Sequence, residues 1–280
     1  MRPLTNSELA TFRTCRRKWW LQYVRGLRRK EERNELLEIG TTVHKGLELL
    51  YKGQPLDAIT DWMRDASLDL EPTMLEGYVQ WVEETGADAN LEIVETEVSR
   101  TVRWQGLELL SKADLRFVDT SSGVEYGVMD HKTVSSLGQY DLVAPIMTQP
   151  LHYMLVERIA DSRPVQHAGR FVYNMLRRVK RTIRAKPPFY RRLDVYHTDN
   201  DLKSYAQRIK AQALEMGELE RKWVGNSPMP AEAYPSPTQN CTWQCPFVGV
   251  CPQYDDNVAD AETTVHIDFE EVDPLAHHRT

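Results

Sequence analysis

From Leu91 to Lys132 the chain reads as consecutive strands closed by short turns, and this stretch restricts the fold more than any other. Leu91 to Trp104 is rich in Val, Thr and Ile, with Glu92, Glu95 and Glu97 among them, and Gln105-Gly106 follows as a tight turn. Leu107 to Val118 returns as a second strand. Ser121-Ser122-Gly123 turns again, and Val124 to Lys132 forms a third strand. Strands joined this tightly predict an antiparallel meander. Its last strand ends in Asp130-His131-Lys132. Side chains alternate faces along a strand, so Asp130 and Lys132 share one face while Met129 and His131 take the other.

Helical patterns flank the meander. Thr5-x-x-Glu8 is a capping-box signature ahead of Leu9 and Phe12, and predicts a helix from about 6 to 24 with Cys15 inside it. Leu36, Leu37, Val43, Leu47 and Leu50 mark a second helix from about 33 to 52, stopped by Gly53 and carrying His44 mid-way. Two more are predicted over about 55–68 and 72–85. Beyond the meander come a helix (about 142–161), a strand (about 167–176) pairing with Tyr190 to Tyr196, and a helix (about 199–224). A Pro-rich segment precedes Cys241, Cys245 and Cys251. The boundaries expected are an N-terminal helix (1–30), a helical region (31–90), a core (91–225), a Pro-rich and cysteine segment (226–254) and an acidic tail (255–280). The tail is either without structure or adds a short strand at His266-Ile267-Asp268-Phe269. This order fits an α/β or α+β core with a helical insertion and a cysteine clasp.

A length of 280 residues, 41% hydrophobic and 27% charged, suits a globular protein. No apolar run of about 18 residues and no N-terminal apolar segment occur, so neither a membrane span nor secretion is expected. The net charge of −6 argues against a general polyanion binder, but its distribution is uneven. Residues 13–30 and 170–192 are strongly basic, whereas the tail from Asp255 to Asp273 is acidic. The basic segments read as a nucleic-acid footprint or as solvated faces.

Four groups of residues carry candidate chemistry. Asp114 and Asp130 lie on strands joined by a short turn, and two neighbouring carboxylates repel unless a cation lies between them. Hard cations such as Mg²⁺ or Mn²⁺ favour such oxygens, and Lys132 beside them could manage a water or a phosphate. The competing reading is an Asp130–Lys132 ion pair worth under about 1 kcal/mol. His44 and Glu97 are further candidate ligands that taken alone read as ordinary helix and strand residues. Gln149 and Tyr153, four apart, share a helix face on which they could hold a nucleic-acid strand, or simply be part of an amphipathic helix. Cys15 with Cys241, Cys245 and Cys251 supplies four thiolates, enough for a zinc ion or a four-iron cluster; buried free thiols are the alternative.

In order, these positions resemble the PD-(D/E)XK nuclease superfamily, and within it the RecB-type exonucleases that carry an iron–sulfur cluster, including CRISPR-associated and phage-encoded members. The resemblance spans about residues 5–252. It rests on Cys15-Arg16-Arg17-Lys18-Trp19-Trp20, Gly40-Thr41-Thr42-Val43-His44, Ser111-Lys112-Ala113-Asp114, Asp130-His131-Lys132, Gln149-x-x-x-Tyr153 and the three C-terminal cysteines. Two departures stand out: Ser111 replaces the usual glycine, and Cys241 and Cys245 have three residues between them where relatives more often have two. The resemblance implies a restriction-endonuclease-like α/β fold with a central mixed sheet flanked by helices. It implies that Asp114, Asp130 and Lys132 are catalytic. His44, Asp114, Asp130 and the His131 backbone carbonyl would ligate Mg²⁺ or Mn²⁺, with Glu97 a further candidate. Gln149 and Tyr153 would contact DNA, and Cys15, Cys241, Cys245 and Cys251 would hold a [4Fe–4S] cluster in preference to zinc.

The activity implied is that of a metal-dependent DNA exonuclease on single-stranded ends. Recombination, replication, repair or CRISPR adaptation machinery would be its partners, in the cytoplasm of a prokaryote or phage-infected cell. Arg16, Arg17, Lys18, Arg177, Arg178 and Arg181 are the basic candidates for steering the DNA backbone. The rival function is a non-catalytic, cluster-stabilised DNA-binding adaptor on the same scaffold.

Overall fold

Thr5 caps the first helix by accepting a hydrogen bond from the Glu8 amide (3.1 Å), and α1 runs Asn6–Thr14. The single helix predicted to reach residue 24 breaks at Cys15, where the backbone is extended (φ −159°, ψ 115°). α2 (Arg16–Trp19) restarts there and passes into a π-helical turn over Trp20–Val24. Periodicity could not show this break, because good helix formers lie on both sides of it. The break makes the Cys15 thiol an N-cap, with Sγ accepting from the Lys18 amide at 3.4 Å.

The computed structural model describes residues 2–30, 35–121, 125–160, 170–223, 229–256 and 260–278. The Ser122-Gly123 part of the predicted turn and the predicted strand start at 167 lie outside them. The remaining elements are β1 (Leu27–Arg29), α3 (Glu35–Tyr51), α4 (Leu56–Asp65), α5 (Leu70–Thr85), β2 (Leu91–Trp104), β3 (Leu107–Asp119), β4 (Glu125–Val134), α6 (Thr148–Ala160), β5 (Arg170–Arg177), β6 (Tyr190–Tyr196), α7 (Asp199–Lys222), α8 (Cys241–Gln244), α9 (Gln253–Asp256), α10 (Ala261–Asp268) and β7 (Phe269–Glu271). The helix expected from about 142 begins at Thr148; two 3₁₀ turns, Leu137–Tyr140 and Ala144–Ile146, precede it. Pro145 inside the second turn and Pro150 behind it favour a late start, since proline is tolerated only in a helix's first turn.

The chain divides into two compact units, residues 34–100 with 111–203, and residues 1–33 with 101–110 and 204–280. In the first, the strands follow the order β2-β3-β4-β5-β6. β3 and β4 are antiparallel, β4 and β5 parallel through α6, and β5 and β6 antiparallel. The result is a central five-stranded mixed sheet flanked by helices. On one face Leu115, Phe117, Met129 and Val172 pack with Tyr51 of α3. Val43, Leu47, Ile59, Met63, Met74, Leu75 and Tyr78 form the helical core above it, joined by Leu176 and Tyr190. The opposite face carries Asp114, Arg116, Asp130, Lys132, Phe171 and Tyr173, and meets α6: Tyr153 stands edge-on to Phe171, and Glu157 accepts from the Arg116 Nε at 2.8 Å.

In the second unit, Trp20 stacks edge-on with both Trp19 and Trp223. The acidic tail is ordered over its described residues. Asp260 caps α10, and β7 pairs antiparallel with β1, setting Arg28 against Glu270 (2.7 Å). Arg25 is bidentate to Glu262 (2.8 and 2.9 Å), and the Lys30 ammonium donates to the carbonyls of His266 and Ile267. Much of the first basic segment is therefore met by the chain's own acidic segment. Phe269 stacks on Phe247 at 5.2 Å and anchors the strand.

Candidate active site

β4 delivers the central residues. Asp130 is buried; its Oδ1 accepts from the Gln149 side-chain amide at 2.7 Å, and its Oδ2 lies 2.5 Å from the Lys132 ammonium. Burial raises the Asp130 pKa, and the nearby Asp114 adds to the rise while Lys132 opposes it. Burial works to discharge Lys132, but the Asp130 carboxylate outweighs it and holds the ammonium charged. Asp114 comes from β3, and its Oδ2 accepts from the His131 backbone amide at 2.5 Å. His44 of α3 places Nδ1 3.4 Å from the same oxygen. Although burial favours the neutral acid, His44 and the His131 amide keep Asp114 well below the usual carboxylate range. The same contact outweighs burial at His44 and raises its pKa.

Glu97 of β2 completes a trio. Its carboxylate, that of Asp114 and an imidazole nitrogen of His44 lie within 4.8 Å of one another. Its backbone is left-handed (φ 56°) in the middle of a strand, a conformation costing roughly 1–2 kcal/mol for a residue with a Cβ. The departure from β geometry redirects the side chain as a bulge does. Burial and the Asp114 charge raise its pKa, against Lys112, 3.2 Å away. Sequence alone made Glu97 only a further candidate, because the kink that aims it leaves no compositional mark.

His131 does turn away from this face. Its Nδ1 accepts from the Asn174 side-chain amide at 2.9 Å, its ring stacks on Tyr51 (5.9 Å), and burial pushes its pKa down to about 3. Behind it, Asn174 donates to the Tyr78 hydroxyl (3.0 Å), the Tyr51 and Tyr78 hydroxyls are 2.7 Å apart, and Arg192 reaches Tyr78 (2.9 Å) and Asp88 (2.6 Å). Asn174 and Arg192 escaped the sequence reading, since in β-strands they look like ordinary polar positions. Tyr173, opposite Asp130 in the β4–β5 register, sets its ring 6.0 Å from the Lys132 ammonium.

The other candidates are placed as follows. Tyr153 donates its hydroxyl to the Lys112 carbonyl at 2.9 Å. Arg16 pairs with Glu215 and lies over the Tyr234 ring; the Lys18 ammonium donates to the Gln244 carbonyl. Arg17 is buried, bidentate to Asp255 (2.7 and 2.8 Å), and donates to the Cys251 carbonyl (3.0 Å). Arg177 donates to the Lys186 carbonyl and Arg181 to the Gln80 side chain, whereas Arg178 has no side-chain partner among the described residues. Cys15 and the three C-terminal cysteines, more than 200 residues apart in sequence, line one cavity of about 310 Å³ together with Pro235, Pro237, Phe247 and Val248. The amides of Lys18 and Ser236 donate to Cys15 Sγ and that of Thr238 to Cys241 Sγ, each at 3.4 Å.

The family model of the PD-(D/E)XK nuclease superfamily matches residues 3–252. The chain belongs to this superfamily. Members use divalent metals, and the His44, Glu97 and Asp114 donors form a candidate metal site. Membership supports hydrolytic nuclease function with DNA as the substrate class. Among solved structures, the chain is similar to a "putative exonuclease" from Eubacterium rectale, with a TM-score of 0.51, 12% identity, and 87% of this chain and 93% of that one covered. It is also similar to SSO0001, at a TM-score of 0.36 and 13% identity, over 90% of this chain and 87% of that one. At such identities the likeness to the E. rectale protein speaks for the fold. No curated protein matches the chain. Among the described residues no helix is long and apolar enough to cross a membrane.

Proposed function

We propose that this PD-(D/E)XK protein is a metal-dependent deoxyribonuclease acting on DNA ends, single-stranded ends in particular. The observation that carries the reading is the convergence of His44, Glu97 and Asp114 beside the Asp130–Lys132 pair. This donor set fits a hard divalent cation: carboxylate oxygens with one imidazole, where burial and the Asp114 charge raise the pKa of Glu97 and Asp130, so that added positive charge would favour their ionised form. His44, Asp114 and Asp130 would hold Mg²⁺ or Mn²⁺ with the His131 carbonyl, and Glu97 would join them. The bound cation supplies a polarised phosphate and a water of lowered pKa.

The chain's own residues do the remainder. Lys132 stays charged next to Asp130, so it orients a water or a phosphate oxygen by donating rather than by taking a proton. Gln149 holds the Asp130 carboxylate in place, and Tyr153 fixes the neighbouring strand through the Lys112 carbonyl. Arg178 is the basic candidate best placed for a DNA phosphate, while Arg17 serves the fold. Recombination, replication, repair or CRISPR-type processing, in a prokaryotic or phage-infected cytoplasm, are the settings such an exonuclease suits.

The cysteine cavity is assigned a [4Fe–4S] cluster held by Cys15, Cys241, Cys245 and Cys251. Three amide donors already aim at two of the sulfurs, as thiolate ligands require.

The deciding experiment incubates end-labelled single- and double-stranded DNA with Mn²⁺ or EDTA, using wild type and Asp130→Ala. Stepwise shortening of the single strand is expected for wild type with Mn²⁺ only. Equal activity in a folded Asp130→Ala protein refutes the assignment. Iron and sulfide content, lost in Cys241→Ser, tests the cluster separately; stoichiometric zinc in its place refutes it.

A further inference from the structure

The segment between β4 and α6 exposes apolar side chains at the sheet end that carries Lys132. Leu142 is 91% exposed and Ile146 75%, with Val143 and Pro145 exposed between them. The segment is nevertheless held firmly. Leu137 and Ala144 are buried under it. At one end the Tyr140 ring lies 4.8 Å from that of Tyr173; at the other, the Tyr173 hydroxyl donates to Met147 Sδ at 3.6 Å. Both ends thus rest on the residue that pairs with Asp130 in the sheet. Asp141 adds an ion pair to Arg191 of β6 (2.8 Å). The loop buries Leu137 but presents Leu142 and Ile146 to solvent.

β4 and β5 are parallel, so the loop after β5 leaves the sheet at the same end, and the Arg178 amide donates to the Val134 carbonyl there (2.8 Å). That loop is basic. Arg178, Arg184 and Lys186 have no side-chain partner among the described residues, and Ile183 beside them is fully exposed. One sheet end therefore offers Lys132, a set of unpaired cations, and a fixed apolar ledge. Cations match a phosphate backbone, and exposed apolar side chains match the faces of bases that are not stacked in a duplex. A protein partner would be served by the ledge, but not by unpaired cations next to the hydrolytic lysine.

We infer that Leu142 and Ile146 are a base-contacting ledge that selects unpaired nucleotides at the cleavage end, while Arg184 and Lys186 carry the adjoining phosphates. This rests on the nuclease reading and deepens it: strand selectivity would come from the loop after the catalytic strand.

The test is binding, which needs no turnover. Fluorescence anisotropy in EDTA compares an ordinary single-stranded oligonucleotide with one bearing abasic sites in its last several positions. Wild type, Leu142→Ser/Ile146→Ser and Arg184→Ala/Lys186→Ala are measured, each checked for an unchanged melting curve and for mass by light scattering. Wild type is expected to prefer the base-bearing strand by about tenfold, and the ledge variant to lose that preference while matching wild type on the abasic strand. The cation variant should weaken both strands equally and flatten the salt dependence. A wild type indifferent to base removal, a ledge variant weakened equally on both strands, or a ledge variant that only dissociates a dimer would each overturn the inference. Base-dependent binding without any Mn²⁺-dependent cleavage would instead leave the ledge standing and remove the nuclease reading.

Discussion

Replacing Arg17 by methionine separates a residue that builds the fold from one that binds DNA. The guanidinium makes two bonds to Asp255 and one to the Cys251 carbonyl, with a longer one to the Ala233 carbonyl at 3.3 Å. The Asp255 side chain is 58% exposed and returns to water once released, so its share is small, under about 1 kcal/mol. The two carbonyls are left short of a donor, at about 1–3 kcal/mol each if both stay dry. Methionine retains the apolar stem packing. Allowing for partial solvation, the expected loss is about 2–4 kcal/mol, or a fall of roughly 1–2 M in the urea midpoint at ordinary slopes. Tryptophan fluorescence follows it, because the Trp19, Trp20 and Trp223 cluster belongs to the same unit as Arg17. Asp255→Asn should cost under about 1 kcal/mol. Single-stranded DNA affinity of folded Arg17→Met should stay within about twofold of wild type, since the guanidinium is taken up by Asp255 and the Cys251 carbonyl and no phosphate contact is at stake. A variant with an unchanged urea midpoint and a DNA affinity reduced tenfold would refute the structural role.

Other substitutions probe the site and its support. Glu97→Gly relieves a left-handed backbone, so thermal stability should hold or rise by up to about 1 kcal/mol while Mn²⁺ affinity falls, as calorimetric titration would show. A simultaneous loss of stability and metal affinity would contradict the strained-ligand account. Tyr78→Phe strips an acceptor from Asn174 and Arg192 in a buried network and should cost about 2–3 kcal/mol, read from chemical denaturation. On acidification the tail should loosen first. Asp255 and Glu262 have pKa values lowered chiefly by hydrogen bonds from Arg17 and Arg25, so their contribution is complete above the unfolded carboxylate range and disappears as pH falls through the lowered values. Protection factors of β7 amides, exchange rates taken relative to the unstructured chain at the same pH, should therefore fall between pH 7 and pH 3 by more than those in β4 and β5; an equal fall would dismiss the idea.

The meander, the helices around it and the faces of Asp130, Lys132 and His131 were legible because each rests on local periodicity. The mixed character of the sheet was read only through the family resemblance and not from periodicity, since the parallel β4–β5 pairing depends on a crossover rather than on any short pattern. Cys15 illustrates the same limit: a thiol that caps a restarted helix looks, in sequence, like a residue within one. Asp114 and His44 were found by the order of motifs, whereas the engagement of Glu97 depends on one backbone dihedral. The basic run from Arg13 to Lys30 shows a further limit: charge counts locate cations but cannot say that Glu262, Glu270 and Asp255, more than 200 residues later, pair with Arg25, Arg28 and Arg17.

The ladder between β1 and β7 also imposes an order on biosynthesis. Residues 34–203 contain the whole of one unit, along with residues 101–110 of the other, and can begin to fold while synthesis continues, but Leu27–Arg29 must wait for Phe269–Glu271. Cys15 leaves the ribosome long before Cys241, Cys245 and Cys251, and stays without its companions through most of translation. A nascent chain stalled before residue 240 would present a folded sheet with its candidate catalytic residues and an unclosed clasp, so the thiol cavity is completed only after the sheet can have formed.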